Sequence, residues 1–231
     1  MAWVIVILLL WVLAALVWAS ADIGSGVYLK ALCRAESADK VVALTFDDGP
    51  DEDSTPRVLD LLKRYDVRAT FFVVGEQARQ NPELIHRMVA EGHTVANHSY
   101  YHLPQSTLWS SQRYTEELFR CNDVVARLTG LRMRLYRPPF GVTNPPIARA
   151  VKNLGLIPVG WSVRSLDTIT KNRDRVVDRV MRGLRGGDVI LLHDRLENSE
   201  ELLEKLLTAL RTQHYTTATV DELFKIEAYE K

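Results

Sequence analysis

The chain is poor in cysteine, with only Cys33 and Cys121 in 231 residues. Two thiols do not make a disulfide framework, and neither sits in a C-x-x-C pair, which excludes a small stapled scaffold and a cysteine-based zinc ribbon. The two could bridge in an oxidising compartment, but two buried free thiols are the expected state. Charge of one sign is also missing. Lys plus Arg total 29 and Asp plus Glu total 29, for a net charge of zero. No global field therefore points to nucleic acid or to an acidic polymer. Internal repeats and low-complexity tracts are absent too, so solenoid and disordered-array readings fall away. Finally, no basic residue precedes the first apolar run, and the positively charged start of an ordinary signal peptide is lacking.

What is present is an ordinary globular composition, 47% apolar and 25% charged. The length fits one domain plus an N-terminal segment, and a domain of this size folds without a disulfide or structural metal. Residues 2–18 (AWVIVILLLWVLAALVW) contain no charge, glycine or proline. The run is at the short end of what spans a bilayer and longer than a usual signal-peptide core. Ala19-Ser20-Ala21 matches a small-x-small cleavage site. Residues 1–21 thus read as a membrane anchor or a cleaved signal peptide, and the length favours the anchor. Trp3, Trp11 and Trp18 with no polar face argue against a buried core helix. Lys30 and Arg34 follow the run, which on charge alone favours a cytoplasmic body. Residues 22–39 form a lead-in loosened by Gly24 and Gly26, and 40–231 form the body.

Within the body, strand-length apolar runs alternate with amphipathic stretches. Strands are predicted at 41–46, 70–74, 94–98, 134–137, 157–161, 188–193 and 215–219. Helices are predicted at 55–65, 82–91, 111–128, 146–154, 173–184 and 199–213, with Val58, Leu61, Leu62 and Tyr65 showing the helical spacing. Ser54, Asn81 and Asn198 stand where N-caps belong. Such alternation predicts an α/β fold with a parallel sheet and helices outside. Seven strands either close into a barrel or remain an open sheet, and periodicity does not choose. Both arrangements put active sites at the C-terminal ends of strands. Asp47 and Asp48, His98, Arg137, Asp167 and His193 all fall at or just beyond such ends.

These residues carry distinct chemistry. In Asp47-Asp48-Gly49-Pro50 consecutive side chains diverge, so one carboxylate can bind a metal while the other faces a water. His98 and His102 are four apart, the spacing that puts two ligands on one face of a helical turn. Asp48, His98 and His102 would make a three-ligand site with an open position, which suits catalytic zinc and equally ferrous iron. Pro138 forces Arg137 toward an extended geometry, from which it can pair with and orient a carboxylate. His193 ends a strand, and an acid such as Asp167 could hold its imidazole and favour the charged form.

With TFDDGP, HSYYH, RPPFG and LLHD in this order, the sequence resembles the polysaccharide deacetylases, the NodB-homology or carbohydrate esterase family 4 proteins. The resemblance spans roughly residues 40 to 220. It implies a distorted (β/α)7 barrel and a polysaccharide deacetylase catalytic domain over 40–231. It further implies that Asp47 is the catalytic base, Asp48, His98 and His102 the metal ligands, Arg137 the partner that orients Asp47, His193 the general acid, and Asp167 the residue that tunes it. One segment departs from the family pattern. Arg164-Ser165-Leu166-Asp167-Thr168 has Arg164 in place of an acid and Thr168 in place of the tryptophan that lines the acetyl pocket; Trp161 could fill that space.

The expected function is therefore metal-dependent hydrolysis of N-acetyl groups on N-acetylglucosamine-type residues of peptidoglycan or a chitin-like polymer. Zn2+ is the expected ion, with Co2+ or another divalent ion possible. The expected partner is the N-acetylated polysaccharide, with no nucleic acid, and residues 2–18 offer membrane anchoring. Such polymers lie outside the membrane, so the function places the body in the extracytoplasmic envelope, against the charge signal. Alternatives are a same-fold hydrolase of another amide or ester (an acylated xylan or small cyclic amide) and a non-catalytic envelope sugar-binding protein.

Overall fold

The computed structural model describes residues 2–37 and 39–230. Its strands are β1 (Val41–Asp47), β2 (Thr70–Val73), β3 (Thr94–Asn97), β4 (Leu135–Tyr136), β5 (Ile157–Pro158), β6 (Val163–Arg164), β7 (Val189–His193) and β8 (Thr216–Ala218). The helices are α1 (Ala2–Ala21), α2 (Thr55–Tyr65), α3 (Gly75–Gln80), α4 (Pro82–Ala90), α5 (Ser111–Thr129), α6 (Pro145–Asn153), α7 (Arg173–Met181), α8 (Ser199–Thr212) and α9 (Val220–Phe224).

All strand pairs are parallel, and the path runs β5-β4-β3-β2-β1-β7-β6, with β8 paired to the start of β1. The edge strands β5 and β6 do not pair among the described residues. The expected barrel is thus a curled parallel sheet whose closure is incomplete. The lead-in lies along this side. Leu32 bridges Val159, and Arg34 bridges Asp188. The segment read as a loosened linker is therefore partly built into the body.

Alternation along β1 decides what the two faces do. Val42, Leu44 and Phe46 point outward into the core shared with α2, α4 and α8, alongside Phe71, Ile85 and Leu206. Ala43 points inward with Phe72, Ala96 and Val189. Successive strand residues alternate faces, so Thr45 and Asp47 share the inner side with Ala43. Ala43 and Ala96 are fully buried in this inner cluster, beneath the C-terminal strand ends that carry Asp47 and His193.

All seven predicted strands are present. The short β6, α3 and α9 were not anticipated, because two to six residues are too few to show a period. Helix α7 ends at Met181 rather than running to Leu184, and Gly183 just beyond it has φ 77°. The N-cap expectation fails in detail. Ser54, Asn81 and Asn198 occupy the cap positions, but none accepts a bond from its helix. Ser54 instead donates its hydroxyl to Asp51 Oδ1 at 2.8 Å, and Asn81 Nδ2 donates to Gln77 O at 3.1 Å. Ser110, Asn144 and Asn172 are the side chains that cap. Both cysteines are free thiols, Cys121 buried as expected and Cys33 half-buried.

Candidate active site

The C-terminal strand ends enclose a cleft of about 240 Å³ lined by Asp47, Asp48, His98, His102 and His193, with Phe140, Gly141, Trp161, Arg164, Thr168 and Arg195 completing the lining. Arg137 and Asp167 stand directly behind this lining. Every residue singled out from sequence is therefore brought to one place.

Arg137 is fully buried and satisfied. Its Nη1 donates to Asp47 Oδ1 and to Thr45 Oγ1, each at 2.7 Å, while Nη2 donates to Gly160 O at 2.7 Å and Nε to Val159 O at 3.3 Å. The guanidinium also lies 4.0 Å from the ring centroid of Phe72. A buried arginine held from four directions fixes the carboxylate it grips. Asp47 Oδ2 is left facing the cleft, 3.7 Å from His98 Nε2.

Asp48 turns the other way because its backbone is left-handed, φ 76°. Its Oδ1 lies 3.4 Å from His98 Nε2 and 3.2 Å from His102 Nε2. One ligand atom from each of the three residues falls within 4.8 Å of the others. His98 Nδ1 donates to Arg137 O at 2.9 Å, which leaves the Nε2 lone pair directed at Asp48. Burial, with the charge of His98 added, holds His102 down to about 4, so its imidazole is neutral at neutral pH. Burial works to raise Asp48, but hydrogen bonding and charge from His98, with His102 and His193, hold it well below the usual carboxylate range. One carboxylate and two imidazole Nε2 atoms converge on a single point, and this donor set fits a divalent cation.

The two histidines do not face each other through a helical turn, as their spacing suggested. Residues 98–102 form a loop in which Ser99 (φ 70°) and His102 (φ 53°) are left-handed. Asn97 Oδ1 accepts from Ser99 N at 2.8 Å, Ser99 Oγ from His102 N at 3.1 Å, and Glu117 Oε1 from Tyr101 N at 2.6 Å. The clustering of such backbone at the cleft marks a conformation imposed by the surroundings.

On the far side, His193 Nδ1 donates to Asp167 Oδ1 at 2.8 Å, and Asp167 Oδ2 accepts from His193 N at 2.8 Å. Burial acts to lower His193, but the hydrogen bond and charge of Asp167 outweigh it and the imidazole titrates above its ordinary value. Its Nε2 faces the cleft, 4.0 Å from Asp48 Oδ2. Trp161 reaches the wall beside Gly141, where a Cβ would stand 2.5 Å from the indole.

Sequence reasoning missed three participants. Arg195 Nε donates to Asp48 Oδ2 at 2.9 Å. Glu117 and Asn97 pin the histidine loop. Arg195 follows the His193-Asp194 motif and could have been noticed, whereas Glu117 reads as one more polar residue of an amphipathic helix.

Comparison with known proteins agrees with this geometry. The polysaccharide deacetylase family model matches residues 34–159. The peptidoglycan-N-acetylglucosamine deacetylase PgdA of Listeria monocytogenes is 38% identical over 212 residues, covering 88% of this chain and 45% of that protein. The chain thus spans about half the length of that relative. The peptidoglycan-N-acetylmuramic acid deacetylase PdaA of Bacillus subtilis is 36% identical over 189 residues, covering 80% of this chain and 72% of that protein. The crystal structure of the Bc1960 peptidoglycan N-acetylglucosamine deacetylase superposes with a TM-score of 0.79 at 31% identity, covering 86% of this chain and 94% of that one. Ordered motifs, a curled parallel sheet, a three-ligand cluster and these likenesses agree: the chain belongs to the polysaccharide deacetylase family.

Proposed function

We propose that this protein is a metal-dependent N-deacetylase of amino-sugar polymers, with peptidoglycan as the first candidate and chitin-like oligomers as the second. The observation that carries the reading is the pairing of two different acid–base devices across one ligand cluster. Asp47, gripped by Arg137, flanks the cluster on one side; His193, backed by Asp167, flanks it on the other. A protein that only binds sugar has no use for that opposition.

Asp48, His98 and His102 would hold a divalent ion, zinc being the first candidate, which when bound would supply Lewis acidity. Asp47 Oδ2 accepts the proton of the attacking water as its oxygen bonds to the carbonyl carbon. A backbone N–H near Phe140, which lines the cleft, is our candidate donor to the developing oxyanion. His193 Nε2 gives its proton to the nitrogen as the carbon–nitrogen bond breaks, releasing acetate and leaving a free amine on the sugar. Arg137 keeps Asp47 directed at the water, and Asp167 supports the charged form of His193, so base and acid coexist in opposite protonation states. The polymers lie outside the membrane, so the body belongs to the extracytoplasmic envelope.

The wall carrying Arg164 and Thr168 favours one second reading, the same hydrolysis on a different acyl group or sugar. Both readings are tested by loading residues 22–231 with zinc or cobalt and measuring acetate release from peptidoglycan, N-acetylglucosamine oligomers and acetylated xylan, with and without chelator. Chelator-sensitive release from an N-acetylated polymer supports the first reading. Release from xylan alone moves the function to the second, and bound metal with no release from any of the three overturns both.

A further inference from the structure

We propose that α1 is a retained membrane anchor whose base is built into the wall of the catalytic cleft, so that the mouth of the cleft is held against the lipid surface. Residues 3–21 are apolar and long enough to cross a bilayer. Residues 3–18 are exposed along their whole length, so the helix stands away from the body. Its far end is different. Ser20 O accepts from Thr143 N at 2.9 Å, and Ala19 O accepts from Thr143 Oγ1 at 3.2 Å and from Ser25 Oγ at 3.1 Å. Ala19 and Ile23 are each only 4% exposed. No flexible tether separates the apolar helix from the body.

The docking point is what gives this consequence. Thr143 is two residues from Gly141, which lines the cleft, and two residues reach at most about 7 Å. Ile23 packs on Gly160, whose neighbour Trp161 lines the same wall. The helix therefore leaves the body beside the mouth rather than at the opposite end of the sheet. The surface around it suits lipid. Leu108 is 87% exposed, Ile169 72% and Phe140 48%. Leu108 is tied to the docking point, because Asn144, the residue after Thr143, donates Nδ2 to Thr107 O at 2.6 Å. Phe140 lines the cleft, and Ile169 follows Thr168, which lines it too. Exposed apolar side chains beside a spanning helix are the pattern of an interfacial contact, with Trp18 at the level where indoles settle. Arg164 and Lys171, both exposed, offer cations to anionic headgroups. An enzyme held this way meets glycan within the first layer above the bilayer.

The surface claim is independent of the reaction, and so is its test. The full chain is placed in vesicles of phosphatidylcholine and phosphatidylglycerol containing headgroup-nitroxide lipid. An environment-sensitive fluorophore is attached at Leu108→Cys, Ile169→Cys or Lys63→Cys in a Cys33→Ala background, with Cys121 left in its buried place. Lys63, in the last turn of α2, lies at the opposite end of the strands. Quenching of at least twofold at positions 108 and 169, with none at 63, is expected. Absence of quenching at 108 and 169, or equal quenching at all three, overturns the proposal, and a second protein copy covering the patch would give the former. The N-terminus of the protein recovered from membranes of the producing cell must precede Asp22; a mature start at Asp22 also overturns it.

Discussion

Asp47 and Asp48 are neighbours with opposite assignments, and the difference rests on backbone. Asp47 ends β1 and points to Arg137, whereas Asp48, with its left-handed φ, turns to His98 and His102. Asp47→Asn should therefore keep its metal and lose turnover by roughly 10²–10⁴-fold, the range of a removed general base. Metal content and acetate release on the same sample check it. Gly49 follows at a point of close approach, where a Cβ would stand 2.2 Å from Asp194 Oδ2. Asp194 is fully buried and cannot swing aside. Burial, opposed by its bond from Thr55 Oγ1, pushes it up to about 7. Gly49→Ala should displace Asp48 and lower metal occupancy at least tenfold while the fold persists, read by metal analysis beside circular dichroism.

His93 supplies a residue-scale prediction on stability. Its Nδ1 accepts from Ala69 N at 3.1 Å, and its ring packs edge-on to Phe71. Burial holds it down to about 4 against an ordinary 6.5; Glu91 opposes the shift, and Arg87 and Arg68 add to it. A histidine depressed in the folded state leaves stability intact above pH 6.5, and that stability falls as pH drops toward 4, since the unfolded chain takes the proton first. The loss amounts to roughly 2 kcal/mol. Urea unfolding of wild type and His93→Leu at pH 7 and pH 4.5 should show the gap between them narrowing by about that amount.

At the scale of elements, the helices serve the site mainly by holding loops. Helix α5 packs outside β3, and its Glu117 reaches back to fix the turn that carries His102. Glu117→Ala should weaken metal binding roughly tenfold, because the loop that carries His102 loses its bond at Tyr101 N, while Glu117→Gln should recover most of it. Competition with a calibrated chelator measures both. Long amphipathic elements such as α5 and α8 were legible because their period repeats over several turns. The three expected N-caps were not, because a cap depends on which way one short polar side chain finds its partner. Ser54 and Asn81 found other partners in neighbouring turns.

Across the whole molecule, an open sheet needs its gap side covered. The lead-in does this, and Arg34 Nε donates to Asp188 Oδ1, whose side chain is fully buried. Ser162 Oγ donates to the same oxygen at 2.6 Å, and Arg185 N to Oδ2 at 2.7 Å. A chain beginning at residue 22 should therefore unfold much like the full body. A chain beginning at residue 40 should lose roughly 3 kcal/mol or more, because a buried carboxylate is stripped of its cation. Thermal unfolding of the two truncations compares them directly.

The sequence by itself determined the alternation of strands and helices and the parallel sheet, and it put Asp47, Asp48, His98, His102, Arg137, Asp167 and His193 at or just beyond strand ends. Periodicity and strand-end position are local properties, and a motif is a local string. The tertiary structure alone decided that the sheet stays open, that the lead-in covers it, that Glu117 bonds Tyr101 and Arg195 bonds Asp48, and that α1 leaves beside the cleft. Each of these joins segments far apart in the chain, as in Arg34 with Asp188 or Ser20 with Thr143. Such pairings depend on which surfaces remain uncovered after the sheet has curled, and no stretch of sequence carries that information on its own.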